Sequence, residues 1–173
     1  MQKTDVTIRA IAHGEELPME LLLLADPSPE MIASYIYQAR VYVAEKDERL
    51  IGVYALTLTE PGRPEIRNLA VAEDFQGQGL GKLLLRHAIE RARENGAERL
   101  LIGTGNSSVG QLYLYQKMGF EITAIRKNYF VQHYPAPLTE NGIPCRHMLM
   151  LEMELGTGAA FRTAGGPDIS PIT

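Results

Sequence analysis

The segment Gln76-Gly-Gln-Gly-Leu-Gly81 separates two very different stretches. Before it, an apolar alternating run ends in Leu69-Ala70-Val71. After it, Leu80, Leu83, Leu84, Ala88, Ile89 and Ala92 recur at helical spacing. Three glycines at alternate positions, where a helix has to begin, leave successive backbone N–H groups without Cβ obstruction. A helix N-terminus carries unpaired donors and the positive end of the dipole, so the unit suits a phosphate or pyrophosphate. The blander alternative is a tight strand-to-helix turn that needs glycine only for its shape.

Two phosphate-binding patterns are excluded by spacing. In a P-loop the second glycine is followed by Lys and Ser/Thr, with the first glycine five residues before it. Here Leu83 follows Gly81-Lys82, and Gln76 stands five before Gly81. A dinucleotide fingerprint needs a third glycine, but Lys82 and Leu84 occupy the places three beyond Gly79 and Gly81. What remains is Gln-x-x-Gly-x-Gly at Gln76, Gly79 and Gly81.

The flanking chain reads as a single α/β domain over residues 1–155. Val6–Ile11 alternates as a strand, and Glu15–Ala25 and Pro29–Ala39 read as short helices, the second with Ser28 as N-cap and Pro29 at its first position. Val41–Ala44 and Leu50–Thr59 read as strands joined by a turn at Lys46-Asp47-Glu48. A further strand, Glu65–Val71, is entered through Pro61-Gly62-Arg63-Pro64. Asn95-Gly96 ends the long helix. Arg99–Gly103 is a short strand, Val109–Met118 a helix closed by Gly119, and Phe120–Ile125 and Met148–Leu155 a closing pair of strands. Residues 128–145 carry no clear pattern, and the Gly/Thr/Pro-rich stretch 156–173 is expected to fray.

The charge balance bounds the partners. With 21 acidic against 17 basic side chains and a net charge of −4, a general nucleic-acid binder is not expected. One cysteine, Cys145, forms no internal disulfide. The absence of an apolar signal core and of any run able to span a bilayer points to a cytoplasmic protein without membrane contact. His13, His87, His133 and His147 show no metal-ligand spacing, so no metal is expected.

A second motif follows about thirty residues after the first: Leu114-Tyr115-Gln-Lys-Met-Gly-Phe120. With both in hand, the chain resembles the GNAT superfamily of acyl-CoA-dependent N-acetyltransferases across most of residues 5–155. The resemblance implies a mixed, splayed central β-sheet flanked by helices, with acetyl-CoA as acyl donor. The pantetheine arm would lie as an added strand along Leu69, Ala70 and Val71, bonded to backbone at Leu69 and Val71. The pyrophosphate would sit on the N–H groups of Gly77, Gln78, Gly79, Leu80, Gly81 and Lys82, with Gln76 opening the loop. Many members place Asn seven residues before the motif tyrosine and Ala three after that Asn. Here Ser108 and Gln111 hold those places, leaving Asn106 or Ser108 to contact pantetheine or to cap the helix.

Transfer from a thioester to an amine needs a proton removed from the ammonium and one supplied to the thiolate. The resemblance makes Tyr115 the general acid, the alternative being simple packing beside the donor. Glu65 is the candidate base, the alternative being a solvated strand end. Strict alternation puts Glu65, Arg67, Leu69 and Val71 on one face. The backbone N–H of Leu69 would meet the oxyanion. His87 is expected to be solvated. His133, in the aromatic segment Tyr129–Tyr134, is expected to shape an acceptor site, with core or dimer packing as the alternative, so a homodimer stays open. Cys145 lies far in sequence from both motifs and gives no support to an acyl-enzyme. The expected reaction is direct acetyl transfer to a small-molecule primary amine. The alternatives are a protein N-terminus or lysine, or a non-catalytic acyl-CoA-binding module.

Overall fold

Apolar residues run without alternation through the middle of β2 (Ala39–Lys46), at 41–44, and of β3 (Arg49–Glu60), at 50–56, because both faces of the sheet they belong to are covered. The computed structural model describes residues 5–156, apart from the Thr59 side chain; of the tail expected at 156–173, all but Gly156 lies outside them. Val41, Val43, Val53 and Ala55 face α1 (Met19–Ala25) and α2 (Pro29–Ile36). Tyr42, Ala44, Tyr54 and Leu56 face the opposite side, where α3 (Leu80–Glu94) lays down Leu80, Leu84, Leu85, Ala88, Ile89 and Ala92. Two apolar layers thus sandwich one sheet, giving a single mixed α/β domain.

The sheet also contains β1 (Thr7–Ala10), β4 (Arg63–Val71), β5 (Arg99–Gly105), β6 (Glu121–Arg126) and β9 (Met148–Glu154), in the order β1-β2-β3-β4-β5-β9-β6. Every pairing is antiparallel except β4 with β5. That parallel pair is short: Glu65 lies opposite Leu101 and Ile66 opposite Ile102, and pairing then stops. From Arg67 onward β4 and β5 diverge, as the expected splay requires.

Several boundaries differ from expectation. The first helix begins at Met19 rather than Glu15, because Pro18 disfavours helical backbone in the residue before it. Glu15 instead accepts two hydrogen bonds of 2.9 Å from Arg9 and one of 2.8 Å from the Ala12 N–H. The second helix stops at Ile36, and Ala39 already belongs to β2. β4 starts at Arg63, so Glu65 is an interior strand residue and not an end. The unpatterned 128–145 stretch folds into a short helix α5 (Tyr129–His133) and a hairpin of β7 (Leu138–Glu140) and β8 (Ile143–Cys145). The hairpin turns on Asn141-Gly142, both at positive φ (54° and 72°). Asn-Gly is a favoured pair for that turn, so this was a signal in the sequence.

Candidate active site

The divergence of β4 from β5 opens a cleft of about 1430 Å³ between the last turns of β4, the start of α3, and α4 (Val109–Lys117). Leu69, Ala70 and Val71 line it, with Gln76, Gly77, Gly79, Leu80, Gly81, Lys82, Ser108 and Tyr115. The Ala72 N–H bonds to the Ile51 carbonyl at 2.9 Å, so alternation turns the backbone groups of Leu69 and Val71 away from β3, toward the gap left by β5. One of those groups, the Val71 carbonyl, accepts a 3.0 Å bond from the Gln76 side-chain amide. Gln76 therefore ties the glycine loop back to β4. Gln78 does similar work, its amide donating to the Asp74 carbonyl at 3.1 Å, and does not line the cleft.

Gly77 and Gly79 take φ of 74° and 85°, with nothing within 4 Å of a Cβ built on either. Their identity is demanded by backbone conformation and not by crowding. Gly79 occupies the N-cap of α3 without a side-chain cap, so the N–H groups of Leu80, Gly81 and Lys82 begin the helix unpaired. Lys82 and Arg86 add positive charge along the same wall. Unpaired N–H donors and two cationic side chains therefore meet at the start of α3, on the wall of the cleft.

Tyr115 is 5% exposed and packs on Phe120, with ring centroids 6.2 Å apart. Burial pushes its phenol well above the ordinary value of 10, so the hydroxyl stays protonated at neutral pH. Tyr113, two residues away, is exposed and bonds through its hydroxyl to Lys117 at 3.2 Å.

Glu65 departs from the expected geometry. The β3–β4 register steps from Ala55 opposite Asn68 to Leu56 opposite Ile66, so Arg67 is the extra residue of a β-bulge. The bulge resets the alternation. Ile66, Leu69 and Val71 face α3, whereas Asn68 and Ala70 face α1 and α2, and Glu65, opposite Thr57, lies on that second face too. Glu65 is buried, its Oε1 3.9 Å from Arg67 Nε, and it is not among the cleft-lining residues. Burial raises its carboxyl above the ordinary range, against the lowering pull of Arg67 and Arg126.

The other expected contacts divide as well. Asn106 stands outside the lining: Oδ1 accepts from the N–H groups of Arg146 and His147 at 2.8 and 2.9 Å, and Nδ2 donates to the Pro144 carbonyl at 3.1 Å. Its side chain holds the β8–β9 junction against the end of β5. Ser108 lines the cleft at the start of α4, but its hydroxyl caps nothing and donates to Glu140 at 2.7 Å. His87 is half-buried, 2.8 Å from the Tyr54 hydroxyl and edge-on to Tyr42, and burial lowers its proton affinity. His133 is exposed and does not line the cleft, although its neighbours Tyr129, Phe130 and Tyr134 do.

Some lining residues gave no sign in the sequence. Cys145, distant in sequence from both motifs, lies on the wall because the β7–β8 hairpin folds back over the end of β5. A Cβ at Gly105 would run into its sulfur. Asp26 closes α1 and accepts from the Tyr134 hydroxyl at 2.9 Å, linking positions that nothing in the sequence pairs. Among the described residues no group of His, Cys, Asp and Glu is arranged to hold a metal, and no helix is long and apolar enough to cross a membrane.

Comparison with known proteins agrees with this geometry. The sequence model described as the Acetyltransferase (GNAT) family matches residues 13–120. A Bacillus subtilis (strain 168) protein named as the uncharacterized N-acetyltransferase YvbK is 48% identical over 158 residues, covering 90% of this chain and 99% of the relative. Among solved structures, a GNAT family acetyltransferase from Elizabethkingia anophelis with acetyl-CoA bound superposes with a TM-score of 0.86 at 49% identity, covering 88% of this chain and 99% of that one. An IAA acetyltransferase from Bacillus cereus superposes with a TM-score of 0.83 at 52% identity, covering 87% and 99%. The extent of these matches and the splayed sheet with its glycine-led helix have one conclusion: the chain belongs to the GNAT acetyltransferase family.

Proposed function

We propose that the protein transfers the acetyl group of acetyl-CoA directly to a primary amine on a small molecule. The observation that carries this is the end of β4–β5 pairing at Ile66 and Ile102, which aims backbone groups of Leu69 and Val71 into a cleft with Tyr115 in its wall. The residues fit the donor. The unpaired N–H groups of Leu80, Gly81 and Lys82 suit a pyrophosphate, and the open edge of β4 suits an extended amide arm. When bound, the donor supplies an activated acyl group as a thioester.

The chain's own groups then divide the work. A fixed N–H at Leu69 facing the acyl oxygen would stabilise developing negative charge by a few kcal/mol. Tyr115, kept protonated by burial, donates to the departing sulfur. Glu65 stands at the start of the β4–β5 pairing and burial strengthens its hold on a proton; because it does not line the cleft, it would take the ammonium proton through water and not by contact. Direct transfer is favoured over an acyl-enzyme because the usual activating partner of a cysteine nucleophile is a histidine. Cys145 lines the cleft, but none of the cleft-lining residues is a histidine.

The test is thiol release from acetyl-CoA across a panel of small amines, with a basic peptide and an N-terminal peptide alongside. Amine-dependent release supports the proposal. Release with peptides alone transfers the function to proteins, and donor binding without release reduces the protein to an acyl-CoA-binding module.

A further inference from the structure

One corner of the cleft is acidic and aromatic and takes no part in the chemistry assigned to Tyr115. Asp26 is 9% exposed and lines the cleft. Its Oδ1 accepts from the Tyr134 hydroxyl at 2.9 Å and from the Ser28 N–H at 3.1 Å, and its Oδ2 from the Tyr35 hydroxyl at 3.5 Å. All three donors are neutral. Among the described residues no Lys, Arg or His pairs with this carboxylate, an uncommon state for a buried anion.

A second observation points the same way. Asn68, on the same cleft wall, donates through Nδ2 to the Leu22 carbonyl at 3.0 Å and to the Tyr35 hydroxyl at 3.1 Å. Those bonds fix the amide's orientation and leave Oδ1 buried with no partner. The corner therefore offers a carboxylate and an amide oxygen, both acceptors, beside the rings of Tyr35, Phe130 and Tyr134. Arg67 already stacks on the Tyr35 ring at 4.7 Å, whereas Phe130 and Tyr134 pack on each other at 5.4 Å. Acceptors among aromatic rings are what a ligand cation requires.

The charge held there is best assigned to a nitrogen other than the one that reacts. A carboxylate against the attacking nitrogen would stabilise its protonated form, which has no lone pair for the thioester. An anion placed in the cleft is productive when it holds a separate cation and leaves the reacting amine free.

We propose that Asp26, with Tyr134, binds a second positive charge on the acceptor, so that the preferred substrate is a primary amine bearing a separate ammonium or guanidinium group. The proposal rests on the amine-acetyltransferase function inferred above. It is tested by initial rates of thiol release from acetyl-CoA with 1,5-diaminopentane against 1-aminopentane. The wild-type protein should favour the diamine in kcat/KM by about 10- to 100-fold, the range of a hydrogen bond to a charged group. Asp26→Asn should bring that ratio close to one, and Tyr134→Phe, which keeps the ring and removes only the hydroxyl, should lower it in part. If Asp26→Asn does not fold, the Tyr134→Phe ratio decides. A wild-type ratio near one, or a ratio that neither substitution moves, overturns the proposal. No thiol release with any amine overturns the function beneath it, a result distinct from release without preference.

Discussion

Gly81→Ala separates the demands of folding from those of the donor. Gly81 is the second residue of α3, and a Cβ there would sit 3.8 Å from Leu114 Cδ2 and 3.9 Å from Val71 Cγ2, ordinary contact distances. Its φ is not in the left-handed region, so alanine meets no backbone strain. Replacing glycine by alanine in a helix gains about 0.5–1 kcal/mol, chiefly by restricting the unfolded chain. For a chain of this size that raises Tm by roughly 1–4 °C. The added methyl, however, enters the slot between the end of β4 and α4, where the proposed donor lies. Overpacking there costs about 1–3 kcal/mol, or roughly 5- to 150-fold in Kd. Stability and donor affinity should therefore move in opposite directions. Thermal melts of the free protein and calorimetric titration with acetyl-CoA measure the two. Gly79→Ala is the contrast: φ of 85° makes alanine cost about 1–2 kcal/mol, with Tm falling by roughly 2–8 °C. Unchanged acetyl-CoA affinity in a stabilised Gly81→Ala protein would refute the placement of the donor on this helix start.

Further tests address the remaining assignments. Tyr115→Phe should lower kcat by about 100-fold while leaving acetyl-CoA affinity within a few-fold, and equal turnover across the pH range would remove its acid role. Glu65→Gln should raise thermal stability at neutral pH. Burial lifts the native carboxyl above its unfolded value, so its contribution is fully present below the unfolded pKa and is lost as pH rises through the native one. Glutamine escapes that loss, and the gap between the two proteins should close in acid; a gap of equal size at pH 4 and pH 8 would contradict the cause given. Cys145→Ser should retain turnover within about threefold in steady-state assays, since direct transfer needs no thiol, and a loss as large as that of Tyr115→Phe would reinstate an acyl-enzyme. Glu48→Gly should raise stability by about 0.5–1 kcal/mol in denaturant titration, because Glu48 sits at φ 63° in the β2–β3 turn, where glycine is at ease.

The elements bearing the proposed donor site were legible because each has a strong local signature. Gln76–Gly81 declares a helix start, Leu80 to Ala92 the apolar stripe behind it, and Tyr115 to Phe120 the end of the next helix. Misjudged boundaries trace to single residues that override local pattern, such as Pro18, which delays α1. The hairpin within 128–145 went unread, although Asn141-Gly142 is a turn signal on its own.

By itself, the order of residues determined the fold class, the glycine-led start of α3 and the tyrosine that shares its cleft, since these depend on contacts within a strand, a turn or a helix. The tertiary structure alone decided where the carboxylates stand. A bulge at Arg67, visible only in the pairing of β3 with β4, turns Glu65 from the face of Leu69 to the opposite one. Asp26 meets Tyr134 only because α5 folds back across the sheet to α1. Register and long-range closure leave little trace in local periodicity, and the end of the cleft proposed for the acceptor is built from both.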